Sequence, residues 1–226
     1  MSMSSPRIAL IHALELSVAP INDAFDRLWP EAERMNLLDD SLSVDRARDA
    51  RLTDAMIARF IRLGRYAQHQ ARADAVLFTC SAFGPAIDAV AQDLEIPVHK
   101  PNRAMIARAV SQANGHPIAL VASFEATLAS MPAEFPAGAN LRLIHATGAL
   151  EAAQAGDADL HDRIVAAAAA KQTGDCAVLA LSQFSLARAQ ARVAAATGKP
   201  VLVTPDCAVE ALRADLADLA VRKPAS

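Results

Sequence analysis

At 226 residues, with 53% hydrophobic and 21% charged residues, the chain has apolar material enough for one large domain or two small lobes, and too much for a disordered one. A formal net charge of −3 with no basic stripe gives a nucleic acid no electrostatic footprint. Three cysteines without a CxxC pair argue against a zinc site or a disulfide framework, and eight glycines include no GxGxxG or Walker loop, so no metal and no nucleotide cofactor is expected.

Taken in chain order, short aliphatic or β-branched runs alternate with longer alanine-rich stretches. Strands are predicted at 8–11, 34–38, 75–78, 97–99, 118–122, 141–145, 177–181 and 201–204. Helices are predicted at 20–28, 43–70, 85–94, 104–113, 160–171, 186–197 and 208–219. Asp45, Arg46, Arg48, Asp49 and Arg51 read as a solvated helix face. The alternation predicts βαβ units and parallel sheets. The opening residues, Met1 to Arg7, lack a secretory core, and no apolar run is long enough to span a bilayer, so a cytoplasmic setting with no membrane partner is expected.

An internal echo refines this. Asp74-Ala-Val-Leu-Phe-Thr-Cys80 is followed by a helix and then Ile96-Pro-Val-His-Lys-Pro101-Asn; Cys176-Ala-Val-Leu-Ala-Leu-Ser182 is followed by a helix and then Lys199-Pro-Val-Leu-Val-Thr-Pro205-Asp. Any two βαβ units share some likeness, but the common Ala-Val-Leu and the paired prolines favour a duplicated half. The expectation is an α/β chain of two similar Rossmann- or flavodoxin-like lobes with parallel sheets, 1–110 plus 206–226 and 111–205. Ligands of open α/β sheets bind beyond the carboxyl ends of the strands, so two facing lobes would aim Cys80 and Ser182 into an interlobe cleft.

Cys80 lies in Leu77-Phe-Thr-Cys-Ser-Ala-Phe-Gly-Pro85, after a strand and before a helix whose start suits Pro85. A helix start favours a thiolate and a substrate carboxylate alike, with Thr79 and Ser81 supplying hydroxyls. The competing reading is a buried structural cysteine.

At this point a resemblance becomes specific. Leu77-Phe-Thr-Cys-Ser-Ala resembles the first cysteine motif of the aspartate/glutamate/hydantoin racemase superfamily. Val178-Leu-Ala-Leu-Ser-Gln-Phe-Ser-Leu186 resembles its second motif, Gly-Cys-Thr-His-Phe-Pro-Leu, and Asn36-Leu-Leu-Asp-Asp-Ser41 resembles its Gly-Asp-Thr loop. The likeness runs in matching order from Arg7 to Leu212. It implies a cofactor-independent, PLP-independent racemase or epimerase acting on a small carboxylate or hydantoin-like substrate, with two thiols working on opposite faces of one carbon. This sequence departs from that plan: the echo aligns Ser182, and the Phe-Ser-Leu spacing aligns Leu181, with the second cysteine.

The resemblance therefore implies Cys80 as base or nucleophile, with Ser182 catalytic from the second lobe. Substrate-binding candidates are His12, Asp40, Ser41, Ser81, Ser123, Thr127 and Gln183. Competing readings are a helix N-cap for Ser41 or Ser43, capping for Ser123 and Thr127, and a loop histidine for His12. A single-cysteine cis-trans isomerase or decarboxylase of a dicarboxylic acid is the second functional reading, and a non-catalytic small-molecule-binding domain the third. A homo-oligomer is expected for alanine-rich helices in an enzyme of this size. His145, and His161 with Asp162, are weaker entrants; Cys176 and Cys207 read as structural.

Overall fold

The computed structural model describes residues 5–222. Two compact units divide them: one runs to Pro101 and resumes at Ala208, and the other comprises Asn102–Cys207. Among the described residues no helix is long and apolar enough to cross a membrane.

In the first unit the order is β1 (Arg7–His12), α1 (Val18–Leu28), β2 (Glu33–Leu38), α2 (Ser41–Asp49), α3 (Asp54–Arg65), β3 (Ala75–Phe78), α4 (Gly84–Asp93) and β4 (Val98–His99). The four strands are parallel and ordered β2-β1-β3-β4. Side-chain alternation gives the central strands two apolar faces, as a sheet covered by helices on both sides requires. On one face Ala9, Ile11, Val76 and Phe78 pack with Leu42, Phe60, Ala86, Ile87 and Val90 from α2, α3 and α4. Ile8, Leu10 and Leu77 point the other way and are also fully buried, as are Ile21, Ala24 and Phe25 of α1.

The second unit opens with α5 (Arg103–Ala113) and continues through β5 (Ile118–Ala122), α6 (Glu125–Ser130), β6 (Leu141–His145), α7 (Ala149–Gln154), α8 (Ala158–Gln172), β7 (Val178–Leu181), α9 (Gln190–Thr197) and β8 (Val201–Val203). Its parallel sheet is ordered β6-β5-β7-β8, the same pattern as the first. Ala119, Val121, Leu179 and Leu181 pack with Val165, Ala166, Ala169 and Val193; Leu120, Val178 and Ala180 pack on the opposite face with Met105, Ile106 and Ala109. This is the parallel α/β architecture expected from the alternating elements. The last helix, α10 (Thr204–Arg222), starts directly after β8; from Ala208 it belongs to the first unit, where Arg213 donates to the Leu28 carbonyl and Asp215 meets His99.

Local departures from the predicted elements have local causes. The single helix expected over 43–70 is broken: Ala50 turns left-handed (φ 52°) after α2, and the Thr53 hydroxyl caps α3 by accepting the Met56 N–H. A π-helical turn, Tyr66–Gln70, then ends the segment. The strand expected over 201–204 stops at Val203, because Thr204 already starts α10 and its hydroxyl donates to the Leu181 carbonyl. α6 and α7 were not expected; each is six residues long, too short for a helical period to stand out in the sequence, although in α7 Glu151 and Gln154 form an exposed face opposite buried Ala149 and Ala152.

Candidate active site

Cys80 stands two residues beyond β3, in extended conformation (φ −124°, ψ 120°), and heads a 3-10 turn, Ser81–Phe83, that runs into α4 with Pro85 at its start. The strand–cysteine–helix order read from the sequence is therefore present. The side chain is partly buried against the Phe60, Phe78 and Phe83 cluster, while Ser81 and Ala82 are exposed. Its acidity differs from the expectation. Burial pushes the Cys80 thiol up, and the Ala82 N–H at the sulfur offsets this only in part. A helix start stabilises a thiolate through a few oriented N–H groups, whereas desolvation acts on the whole charge.

His12 is fully buried at the end of β1, with both ring nitrogens engaged. Nδ1 lies 2.8 Å from Thr79 Oγ1 and 3.1 Å from Ser17 Oγ; Nε2 lies 2.9 Å from Asn36 Oδ1. Burial lowers its pKa, against a smaller raising effect from Asn36. The ring thus meets protein groups on every polar edge. Ser17 stands near His12 in the sequence, whereas Asn36 as its partner was missed; the one available signal was an asparagine interrupting the apolar run of β2.

After β2, Ser41 donates to Asp39 Oδ1 at 2.8 Å, and Arg59 of α3 bonds both Asp39 and Ser41 as well as Asp45. Asp40 is exposed at the N-cap of α2 but makes no side-chain capping bond; Ser43 donates to the Ala13 carbonyl instead of capping.

In the second unit, Ser123 is buried after β5, and its N–H and hydroxyl both donate to Gln183 Oε1, at 2.7 and 3.0 Å. Thr127 is half-buried in α6, its N–H donating to the Phe124 carbonyl. Ser182 is buried and donates its hydroxyl to the Val121 carbonyl at 2.8 Å. His145 approaches the Ser123 carbonyl, and buried His161 pairs through Nδ1 with Asp162.

The strand register places the two halves in correspondence one residue away from the echo. Phe78 pairs with Ile11, and the next N–H, of Thr79, donates to the Ile11 carbonyl; Leu181 pairs with Val121, and the next N–H, of Ser182, donates to the Val121 carbonyl. Ser182 thus matches Thr79, and Gln183 matches Cys80. Cys80 and Gln183 each cap a 3-10 turn in extended conformation. Neither Ser182 nor Leu181 is the topological counterpart of Cys80; the shared Ala-Val-Leu misaligns the halves by one residue, because it begins on the first residue of β3 (Ala75) but one residue before β7 (Ala177).

Cys207 is buried with Leu202 and Met105, and Cys176 is buried before β7, where its carbonyl accepts from Lys199 Nζ at 2.7 Å. Among the described residues no group of three His, Cys, Asp or Glu side chains could hold a metal ion.

No family model matches this sequence, and no curated relative does. Several solved structures match the fold. An allantoin racemase from Klebsiella pneumoniae superposes with a TM-score of 0.73 at 15% identity, covering 94% of this chain and 88% of that one. A glutamate racemase from Bacillus anthracis gives 0.71 at 12% identity, covering 98% and 85%. An unliganded arylmalonate decarboxylase gives 0.58 at 19% identity, covering 93% and 92%. At these identities the likeness establishes a shared fold.

Proposed function

We propose that this chain belongs to the aspartate/glutamate/hydantoin racemase superfamily and moves a proton at a carbon beside a carboxylate or similar anion, without a cofactor, through Cys80. The fold shared with racemases and a decarboxylase supports the class. The observation that carries the reading is the seat of Cys80: a partly buried cysteine at the carboxyl end of a central parallel strand, heading the turn into α4, with a backbone N–H on its sulfur. Such a turn offers oriented N–H donors to a carboxylate and to the enediolate that forms when the carbon is deprotonated. As a thiolate, Cys80 takes the proton from carbon and returns it as a thiol. The Ser81 hydroxyl is exposed beside it and is assigned to the substrate anion.

The second reading is decarboxylation, and two observations favour it over two-thiol racemisation. The position matching Cys80 in the other unit carries Gln183, whose amide has no proton-accepting chemistry near neutral pH. Burial also holds the Cys80 thiol protonated, which suits a group that gives its proton to the carbanion left when carbon dioxide departs.

The experiment is a heavy-water screen of small carboxylic acids, hydantoins and substituted malonates, following deuterium at the α-carbon and release of carbon dioxide. Turnover that is lost in Cys80→Ala is the expected result. Full activity in that variant removes Cys80 from the mechanism, and deuterium uptake without carbon dioxide release selects the isomerase reading.

A further inference from the structure

The hydrogen-bond chain around His12 fixes which ring nitrogen carries the proton. Asn22 of α1 donates through Nδ2 to the Val18 carbonyl at 2.8 Å, and a carbonyl only accepts, so the orientation of the Asn22 amide is set. Asn22 and Asn36 then face each other, Nδ2 of Asn22 lying 3.0 Å from Oδ1 of Asn36 and Nδ2 of Asn36 lying 3.4 Å from Oδ1 of Asn22. That pairing orients Asn36 in turn and leaves its Oδ1, an acceptor, 2.9 Å from His12 Nε2. Nε2 must therefore be the donor. The other nitrogen, Nδ1, is left with a lone pair facing the Thr79 hydroxyl at 2.8 Å.

Thr79 is 5% exposed and His12 wholly buried, so a hydroxyl without an acceptor there is costly. Ser17, 2.8 Å from both the Leu14 carbonyl and Thr79 Oγ1, has one hydrogen for those two acceptors. The ring thus joins the ends of three adjacent strands, β1 directly, β2 through Asn36 and β3 through Thr79, and Thr79 is the residue before Cys80.

We propose that His12 is a positioning residue, held as the neutral Nε2–H tautomer, whose Nδ1 lone pair anchors Thr79 and so sets the backbone that presents Cys80. The assignment deepens the reading of Cys80 as the reactive group, yet it makes no demand on turnover. None of the ring's hydrogen-bond partners is ionisable, so the network orients the ring by direction of donation and not by charge.

Two measurements test it on the full chain. The first is a two-bond proton–nitrogen correlation spectrum of the histidine rings at neutral pH, with the His12 signals identified among the six histidines by their loss in His12→Asn. A protonated Nε2 with a bare Nδ1 is expected; the opposite tautomer, or a doubly protonated ring, overturns the proposal. The second uses geometry. In His12→Asn the side-chain oxygen can stand near the place of Nδ1 and accept from Thr79, whereas in His12→Gln the amide reaches toward Asn36 and leaves Thr79 to turn to the Ser17 hydroxyl at 2.8 Å or the more distant Ile11 carbonyl at 3.4 Å. The pH profile of iodoacetamide alkylation at Cys80, read on its peptide by mass, should stay near the parent profile in His12→Asn. In His12→Gln it should shift by about one pH unit, a rate change of about tenfold at fixed pH. Thr79→Val serves where His12→Gln fails to fold, and should shift in the same way. Equal profiles in all three variants overturn the proposal. Neither readout needs a substrate, so a failed substrate screen with the expected spectrum would sink the enzymatic reading and leave the positioning role standing.

Discussion

The rings of Phe60 and Phe83 lie with centroids 4.8 Å apart and tilted by 32°, so the turn that follows Cys80 rests on α3. Phe60 also stacks on Phe78, at 5.2 Å, in the strand that precedes Cys80. One aromatic side chain thereby supports the segment on both sides of the sulfur, and all three rings are almost fully buried. Phe60→Ala should cost about 3–5 kcal/mol through lost burial and a residual cavity. Because the cavity opens under the turn, Cys80 alkylation should speed up in that variant at temperatures where the fold is intact. Denaturant unfolding with labelling on the Cys80 peptide checks both; a destabilised chain with unchanged Cys80 reactivity would show that the turn holds itself.

Gln183 sits where the first unit has Cys80, and its Oε1 accepts both donors of buried Ser123. Gln183→Leu leaves an N–H and a hydroxyl without a partner and should cost about 1–3 kcal/mol, while Gln183→Glu keeps the accepting oxygen and should cost less. Thermal melts of the two variants make the comparison. Gln183→Cys addresses chemistry: under the racemase reading it should raise deuterium exchange at the substrate α-carbon, and Ser182→Cys should not.

Burial sets the folded His12 below its ordinary value of 6.5. Between the folded and unfolded values the unfolded chain binds more protons, so stability rises with pH through that window. The stabilising contribution is complete above about pH 6.5 and is lost as the pH falls toward the folded value. His12→Asn removes this titration. The parent should therefore lose stability faster than the variant as the pH is lowered from 7 to 5, whatever the difference at pH 7. Parallel slopes in a urea series across that range would contradict a buried neutral ring.

Helices α3 and α4 meet at Gly64. A Cβ there would stand 2.6 Å from Val90 Cγ1 and 3.2 Å from Leu94 Cδ1, both on or next to α4. Gly64→Ala adds helix propensity in α3, worth under about 1 kcal/mol, but forces Val90 aside. Overpacking of this kind costs about 1–3 kcal/mol, so net destabilisation is expected. Pairing it with Val90→Ala should recover part of the loss, which a double-mutant cycle measures.

Much of the architecture was legible in the residues. Short aliphatic runs bounded by Pro and polar residues marked all eight strands to within a residue, and the repeated Ala-Val-Leu pointed to two halves that share a strand order. The position of Cys80 between strand and helix was equally readable, because Gly84 and Pro85 punctuate the chain there. These are local features: each depends on neighbours within a turn or a strand.

Tertiary structure decided the rest. That Gln183 and not Ser182 matches Cys80 follows from which N–H meets which carbonyl across neighbouring strands, and residue type carries no trace of that register. The raised pKa of Cys80 and the fixed tautomer of His12 come from groups distant in sequence, Phe60 in one case and Asn22 with Asn36 in the other. Desolvation and donor direction are set by how the chain packs around a group, and packing is where a one-dimensional pattern stops carrying information.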